Sequence, residues 1–196
     1  MNKQNLLLAL AIANLSFPVF AILPEGHPAP PIEAQASFAG KDFKYSLQAE
    51  LKKGPVVVYF YPSAYTNGCN IQAHSFAVNH AKFADAGATI VGVSLDDIQR
   101  LNEFSADPDF CAGKFPVASD ADGRIAKSYD LAVRDPAPGK TDSRGVEIKH
   151  GFAERTTFVV TPDGKIAATL GGLRPEENVA KSLEIVQQLA AKRQSQ

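Results

Sequence analysis

An excess of charge of either sign is the first thing this sequence lacks. Lys and Arg number 20 against 21 Asp and Glu, a formal net charge of -1 at pH 7. A protein that grips nucleic acid through a basic surface needs a positive excess, so the balance argues against that class. Cysteine is scarce, with two in 196 residues. That is too few for a disulfide-rich scaffold or a four-cysteine zinc site. His27, His74, His80 and His150 show no metal-ligand spacing with one another or with a carboxylate, and His74 and His80 are six apart, off a common helix face. Long apolar runs are missing except at the extreme N-terminus. What remains is ordinary globular material, 45% hydrophobic and 21% charged, and the length suits one domain.

The N-terminal run reads MNKQNLLLALAIANLSFPVFA over residues 1–21. Lys3 precedes an apolar stretch from Leu6, no acid occurs before Glu25, and Val19 and Ala21 satisfy the small-x-small rule for cleavage after Ala21. This predicts a signal peptide. The competing reading, a retained anchor, is weakened by Asn14, Ser16 and Pro18, which leave the run short for about 30 Å of hydrocarbon. No cysteine follows the cleavage point, which argues against a lipoprotein. Removal of residues 1–21 would leave 175 residues in an oxidising compartment, where two cysteines can form a disulfide.

Residues 22–37 are rich in Pro and Ala and predict an extended lead-in. Phe43, Tyr45 and Leu47 alternate after Gly40-Lys41, which predicts a short strand or hairpin. PVVVYFY at 55–61 predicts a strand buried on both faces. A helix is predicted from about Thr66 to Ala86, then a strand at 88–93, a helix at 95–106, a short strand from Phe115 to Ala118 and a short helix at 122–130. Residues 134–150 lack a pattern and read as a loop insertion. Thr156–Thr161 and Lys165–Leu170 flank the turn Pro162-Asp163-Gly164, and a last helix opens at Pro175. The order β-α-β-α-β-α-β-β-α describes an α/β protein, a mixed central sheet with helices on both faces. It fits a thioredoxin-like fold, although periodicity does not separate that from other three-layer α/β folds.

The chemistry concentrates around Cys69. A buried strand delivers the chain to a helix N-terminus, and Cys69 falls in the first helical turn, where unpaired N–H groups and the helix dipole stabilise a thiolate. Thr66 is placed to cap the helix, its hydroxyl within reach of the sulfur. On position alone, a reactive thiol and a small apolar core residue stand level. Asp96-Asp97 reads as a charge pair at a helix N-terminus, and Phe60 and Tyr61 as aromatics at a strand end that pack in the core.

The spacing Pro62-x-x-x-Thr66-x-x-Cys69 resembles the active-site motif of peroxiredoxins. The resemblance extends over roughly residues 26–190, through Gly26-His27-Pro28-Ala29-Pro30, GPVVVYFYP, GATIVGVSLDD, FPVASDADGRIAKSYDL and ERTTFVVTPDGKI. It is closest to the Q-type group, the bacterioferritin-comigratory proteins of the AhpC/TSA superfamily. It implies a single thioredoxin-like domain over 22–196, with Cys69 as the peroxidatic cysteine, Pro62 shielding it and Thr66 beside it. It also implies that Arg155, at the start of Arg155-Thr156-Thr157-Phe158, approaches the sulfur from a neighbouring strand; the bland alternative is a surface arginine paired with Glu154. Gln72 matches a Glu or Gln that the family carries three residues after the cysteine.

Some Q-type members carry a resolving cysteine five residues after the peroxidatic one, but here that position is His74. Others carry it just before the Phe-Pro-x-x-Ser-Asp block, and Cys111 fits that placement at a somewhat long spacing of 42 residues. Cys111 lies in a segment with Pro108, Asp109 and Gly113 that could move; the alternative is a buried free thiol. The resemblance therefore implies a thiol peroxidase for hydrogen peroxide and organic hydroperoxides, with Cys69 and Cys111 forming an intramolecular disulfide and a thioredoxin-like dithiol as reductant. It implies no metal, haem, flavin or other cofactor and a monomer, while the signal peptide implies a periplasmic location and no stable membrane association once it is cleaved. The rivals are a one-cysteine peroxidase using an external thiol, a thiol-disulfide protein, which lacks its Cys-x-x-Cys here, and a binding module on the same fold.

Overall fold

The computed structural model describes residues 22–195, so the predicted signal peptide over 1–21 lies outside the described residues. In chain order the elements begin β1 (Glu33–Phe38), β2 (Lys41–Ser46), α1 (Leu47–Leu51), β3 (Val56–Phe60), α2 (Asn67–Asp85), β4 (Thr89–Ser94) and α3 (Ile98–Ala106). They continue β5 (Val117–Ser119), α4 (Arg124–Ser128), β6 (Val133–Arg134), β7 (Phe152–Ala153), β8 (Thr156–Val160), β9 (Ile166–Gly171) and α5 (Pro175–Gln194).

β3 is buried along its whole length and has no charged side chain, so it must be covered on both faces. It lies inside a seven-stranded sheet ordered β2-β1-β5-β4-β3-β8-β9 among the described residues. β3, β4 and β5 run parallel through helical crossovers, while β8 and β9 return antiparallel, so the predicted mixed sheet is present. Val57 and Tyr59 point to one face and pack with Phe76 and Phe83 of α2, Leu101 and Phe104 of α3, and Val186 of α5. Val56, Val58 and Phe60 point to the other, toward Leu47 and Leu51 of α1 and Ala126 of α4. Truncating a side chain such as Phe76, fully buried, costs about 3–5 kcal/mol. Gly92 of β4 is dictated by Tyr59 across the ladder, because a Cβ there would sit 2.7 Å from the phenol oxygen.

α2 buries Cys69, Gln72, Ala73, Phe76 and Phe83, a helical stripe. Its end is set by Gly87 in the left-handed region, φ +73, while Arg193 of α5 donates to the carbonyl of Ala86 at 2.9 Å. Several boundaries differ from the sequence reading. The lead-in holds β1, which pairs with both β2 and β5 and buries Ala36. α1 is a single short helix capped by Ser46. α3 starts at Ile98, because Asp97 caps it and Asp96 turns inward. The insertion is clipped at its base by β6 pairing with β7 and internally by a bridge between Thr141 and Glu147. Among the described residues no helix is long and apolar enough to cross a membrane.

Candidate active site

Strand register builds one half of the site. Phe60 pairs with Thr156, so Arg155 stands beside Tyr61 where the chain leaves β3 for α2. Cys69 sits in the first turn of that helix, 1% exposed, its N–H bonded to the Thr66 carbonyl at 2.9 Å. Arg155 Nη2 lies 3.3 Å from the Cys69 sulfur, and Nη1 donates to Gln72 Oε1. The guanidinium thus bridges two residues one helical turn apart and turns away from Glu154. Gly68 makes room for it, since a Cβ there would come within 3.1 Å of Nη2.

Behind Arg155 runs a buried polar chain. Gln72 Nε2 donates to Asn178 Oδ1 at 3.0 Å, Thr157 Oγ1 donates to the same oxygen at 2.6 Å, and Asn178 Nδ2 donates to the Leu170 carbonyl at 3.1 Å. Gln72, Asn178 and Thr157 are fully buried, so a broken member leaves unpaired groups costing about 1–3 kcal/mol. The sequence reading had Gln72 through the family pattern and missed Asn178 and Thr157. Nothing local marks them, because three elements must meet before they touch.

Thr66 differs in detail from its expected role. It occupies the N-cap position, but its hydroxyl makes no cap bond and instead donates to the Ser63 carbonyl at 2.9 Å. Its proton is committed, which leaves its oxygen as an acceptor. Pro62 is half-buried and, with Arg155, walls a cavity of about 510 Å³ that Phe152, Lys140 and Arg134 also line.

Cys111 is a free thiol, as is Cys69, and it is fully buried in the same apolar cluster. Burial, with Asp107 adding, pushes its thiol well above the ordinary range. Its segment is more tightly held than its composition suggested. His74 Nδ1 bonds the Asp109 carbonyl at 2.9 Å, and Gly113 N donates to the Ser105 carbonyl at 2.8 Å.

Asp96 corrects the sequence reading most. It is no exposed helix-end charge but a fully buried hub. It accepts from Ser63 Oγ at 2.8 Å, Ala64 N at 2.8 Å and Ser94 Oγ at 2.7 Å. Arg100 Nε stands 2.8 Å away as an ion-pair contact, and His150 Nε2 bonds it at 2.8 Å. His150 therefore does meet a carboxylate, one 54 positions away. Its other nitrogen faces the Gly151 carbonyl at 2.9 Å, so both ring nitrogens face acceptors and the imidazolium is favoured. Burial pushes His150 down, but the Asp96 bond and charge outweigh it and the net shift is upward. Burial likewise pushes Asp96 up, and the bonds and charge of His150, with Ala64 and Ser94, bring it below the ordinary carboxylate range. Among the described residues no three His, Cys, Asp or Glu side chains converge as a metal site would require.

The AhpC/TSA family pattern matches residues 26–169. A putative peroxiredoxin of Mycobacterium tuberculosis is 35% identical over 133 residues, 68% of this chain and 78% of the relative. The crystal structure of peroxidoxin BcpB from the same organism superposes with a TM-score of 0.71 at 26% identity, covering 85% of this chain and 98% of that one. The bacterioferritin comigratory protein of Xanthomonas campestris, whose structure was described for its alkyl peroxide reduction activity, matches with a TM-score of 0.63 at 26% identity, covering 80% of this chain and 91% of that one.

Proposed function

The chain belongs to the AhpC/TSA family and is a Q-type peroxiredoxin, a thiol peroxidase; from that premise we propose that Cys69 is its peroxidatic cysteine and Cys111 the resolving one. The observation that carries this reading is the Arg155 guanidinium 3.3 Å from the Cys69 sulfur at a helix N-terminus. A fixed cation and unpaired N–H groups favour a thiolate and the charge that grows on a peroxide oxygen.

The Cys69 thiolate attacks the nearer oxygen of ROOH. The S–O bond forms as the O–O bond breaks, its electron pair leaves with RO⁻, and a proton converts that to water or an alcohol. Arg155 follows the negative charge from sulfur to the leaving oxygen. Thr66, its own proton given to Ser63, accepts from the hydroperoxide O–H and so fixes which oxygen meets the sulfur. Pro62 keeps water from that side.

Cys69 is then a sulfenic acid. The Cys111 thiolate attacks its sulfur, hydroxide leaves as water with the Cys111 proton, and a Cys69–Cys111 disulfide remains. A thioredoxin-like dithiol reduces that bond in two exchanges. Hydrogen peroxide and alkyl hydroperoxides are the proposed substrates, the latter by analogy with the activity named for the Xanthomonas protein. The N-terminal sequence supports export to the periplasm, where this chemistry would meet external peroxide, and the Q-type resemblance supports a monomer of one domain over 22–196.

Mass spectrometry of the cell-derived protein before and after one equivalent of peroxide tests the assignment. The expected result is a chain starting at Ile22 that loses two hydrogens and yields one peptide linking Cys69 to Cys111. A stable sulfenic acid without that link would make it a one-cysteine peroxidase.

A further inference from the structure

The turn Ser63-Ala64-Tyr65, which precedes Cys69, is held almost entirely by residues distant in sequence. Ala64 N donates to Asp96, and Arg100 Nη2 donates to the Ala64 carbonyl at 2.8 Å and to Asp142 at 2.7 Å. Ser143 N donates to the Tyr65 carbonyl at 2.8 Å, and Asn70, next to Cys69, reaches the Ser143 hydroxyl at 3.4 Å. Tyr65 has φ +61, a left-handed backbone that a bulky residue keeps only when its surroundings hold it. The Arg144 guanidinium carbon lies 3.4 Å from the centroid of the Tyr65 ring. Arg144 is itself braced by Glu103 at 2.9 Å and Asp142 at 3.3 Å. The Tyr65 ring also meets Phe104 and Phe110 edge-on, at centroid distances of 5.1 and 5.6 Å, with the Arg100 guanidinium carbon 5.5 Å from its centroid, and Phe110 is the neighbour of Cys111.

We infer that residues 142–150 are a positioning clamp on the peroxidatic turn, and that release of Tyr65 by Arg144 is the step that lets Cys69 and Cys111 meet. The inference rests on the two-cysteine reading above. Both thiols are free and buried, whereas a disulfide needs Cα atoms within about 7 Å and an attacking thiolate. Cys111 cannot readily ionise while buried in the apolar cluster that also holds Tyr59, Tyr61 and Tyr65. Tyr65 shares one buried apolar cluster with both cysteines and packs on Phe110, the neighbour of Cys111, so moving it loosens the packing that both thiols depend on.

The clamp sets a branch point. While it is closed, the Cys69 sulfenic acid faces the peroxide site, and a second peroxide can add its oxygen to give the sulfinic acid and another alcohol. Once it opens, sulfenic acid and thiol combine to disulfide and water. If the open form is a minor population, loosening the clamp raises it in proportion and hardly changes the closed fraction. First oxidation and resolution then respond differently to one substitution, which a merely structural residue would not produce.

Arg144 is the residue to change, because its side chain is 36% exposed and is not itself part of the buried apolar core. Full-length wild type, Arg144→Ala and Arg144→Lys are mixed rapidly with hydrogen peroxide, quenched with an alkylating agent and read by mass. In Arg144→Ala, first oxidation should stay within about twofold of wild type. Disulfide formation should rise roughly fivefold, and the sulfinic fraction at excess peroxide should fall to match. Arg144→Lys should lie between. Unchanged disulfide formation in Arg144→Ala overturns the clamp, and so does a parallel fall of both rates, which would mark Arg144 as structural support. Absence of any Cys69–Cys111 link in wild type is a separate result: it overturns the two-cysteine reading and the clamp's product with it.

Discussion

The two cysteines share one apolar cluster yet live in opposite surroundings. Cys69 has a guanidinium against its sulfur and a helix N-terminus beneath it. Cys111 sits in a cluster rich in aromatic rings, has no cation bonded to it among the described residues, and has Asp107 near enough to disfavour its thiolate. Equal burial therefore goes with unequal surroundings, which on the proposed reading set their chemistry apart. What separates a nucleophile from a dormant thiol is the charge and dipole aimed at the sulfur, and removal from water alone produces the dormant kind.

The harshest test of the contrast is Cys69→Ser. A serine hydroxyl is barely ionised near neutral pH and is a poor nucleophile toward O–O, so peroxide consumption should drop to background. Turnover that survives would move the nucleophile elsewhere. Next comes Arg155→Lys, which keeps the charge but not the fork that spans Gln72 and Cys69. Single-turnover oxidation should slow by roughly ten- to a hundredfold; equal rates would place Arg155 outside the site.

Cys111→Ser sharpens the comparison from the other side. Cys69 should still react once with peroxide at its normal rate, while dithiol-driven turnover falls several-fold and sulfinic acid accumulates. Undiminished turnover would make Cys111 a bystander. The smallest effect concerns the hub. His150 has its folded pKa raised, so its contribution to stability is complete below its unfolded value and is lost as pH rises through the raised one. Urea midpoints should therefore decline from about pH 6.5 upward. His150→Gln, which can keep a bond to Asp96 without titrating, should flatten that decline; an unchanged slope would assign it to another group.

Much of this molecule was readable one segment at a time. The continuous apolar run of β3 announced a strand covered on both faces, and Pro162-Asp163-Gly164 announced the β8–β9 turn, where Gly164 adopts φ +76. β1 escaped notice because only Ala36 and Ser37 in its second half are buried, it follows a Pro-rich lead-in, and one of its two partners, β5, lies far along the chain. The hub escaped for a different reason. Asp96 beside Asp97 looks like any helix-capping pair, and Asp97 does cap α3, accepting from Arg100 N at 2.8 Å. Its neighbour's role depends on His150 and the Ser63-Ala64 turn arriving from other parts of the chain.

The chain alone determined that Cys69 stands at the start of a helix after a buried strand, because strand, turn and helix follow from residues within a few positions of one another. The motif Pro62, Thr66 and Cys69 lies within that range. Only the tertiary structure decided that Arg155 touches the sulfur, since that depends on Phe60 pairing with Thr156 and no other residue. A slip of one position would turn Arg155 to the opposite face. The same holds for the direction of the Thr66 hydroxyl, the depth of Cys111 and the grip of Arg144 on Tyr65. Each is a contact between groups whose separation is set by packing, and local propensity carries no information about which distant partner fills the space.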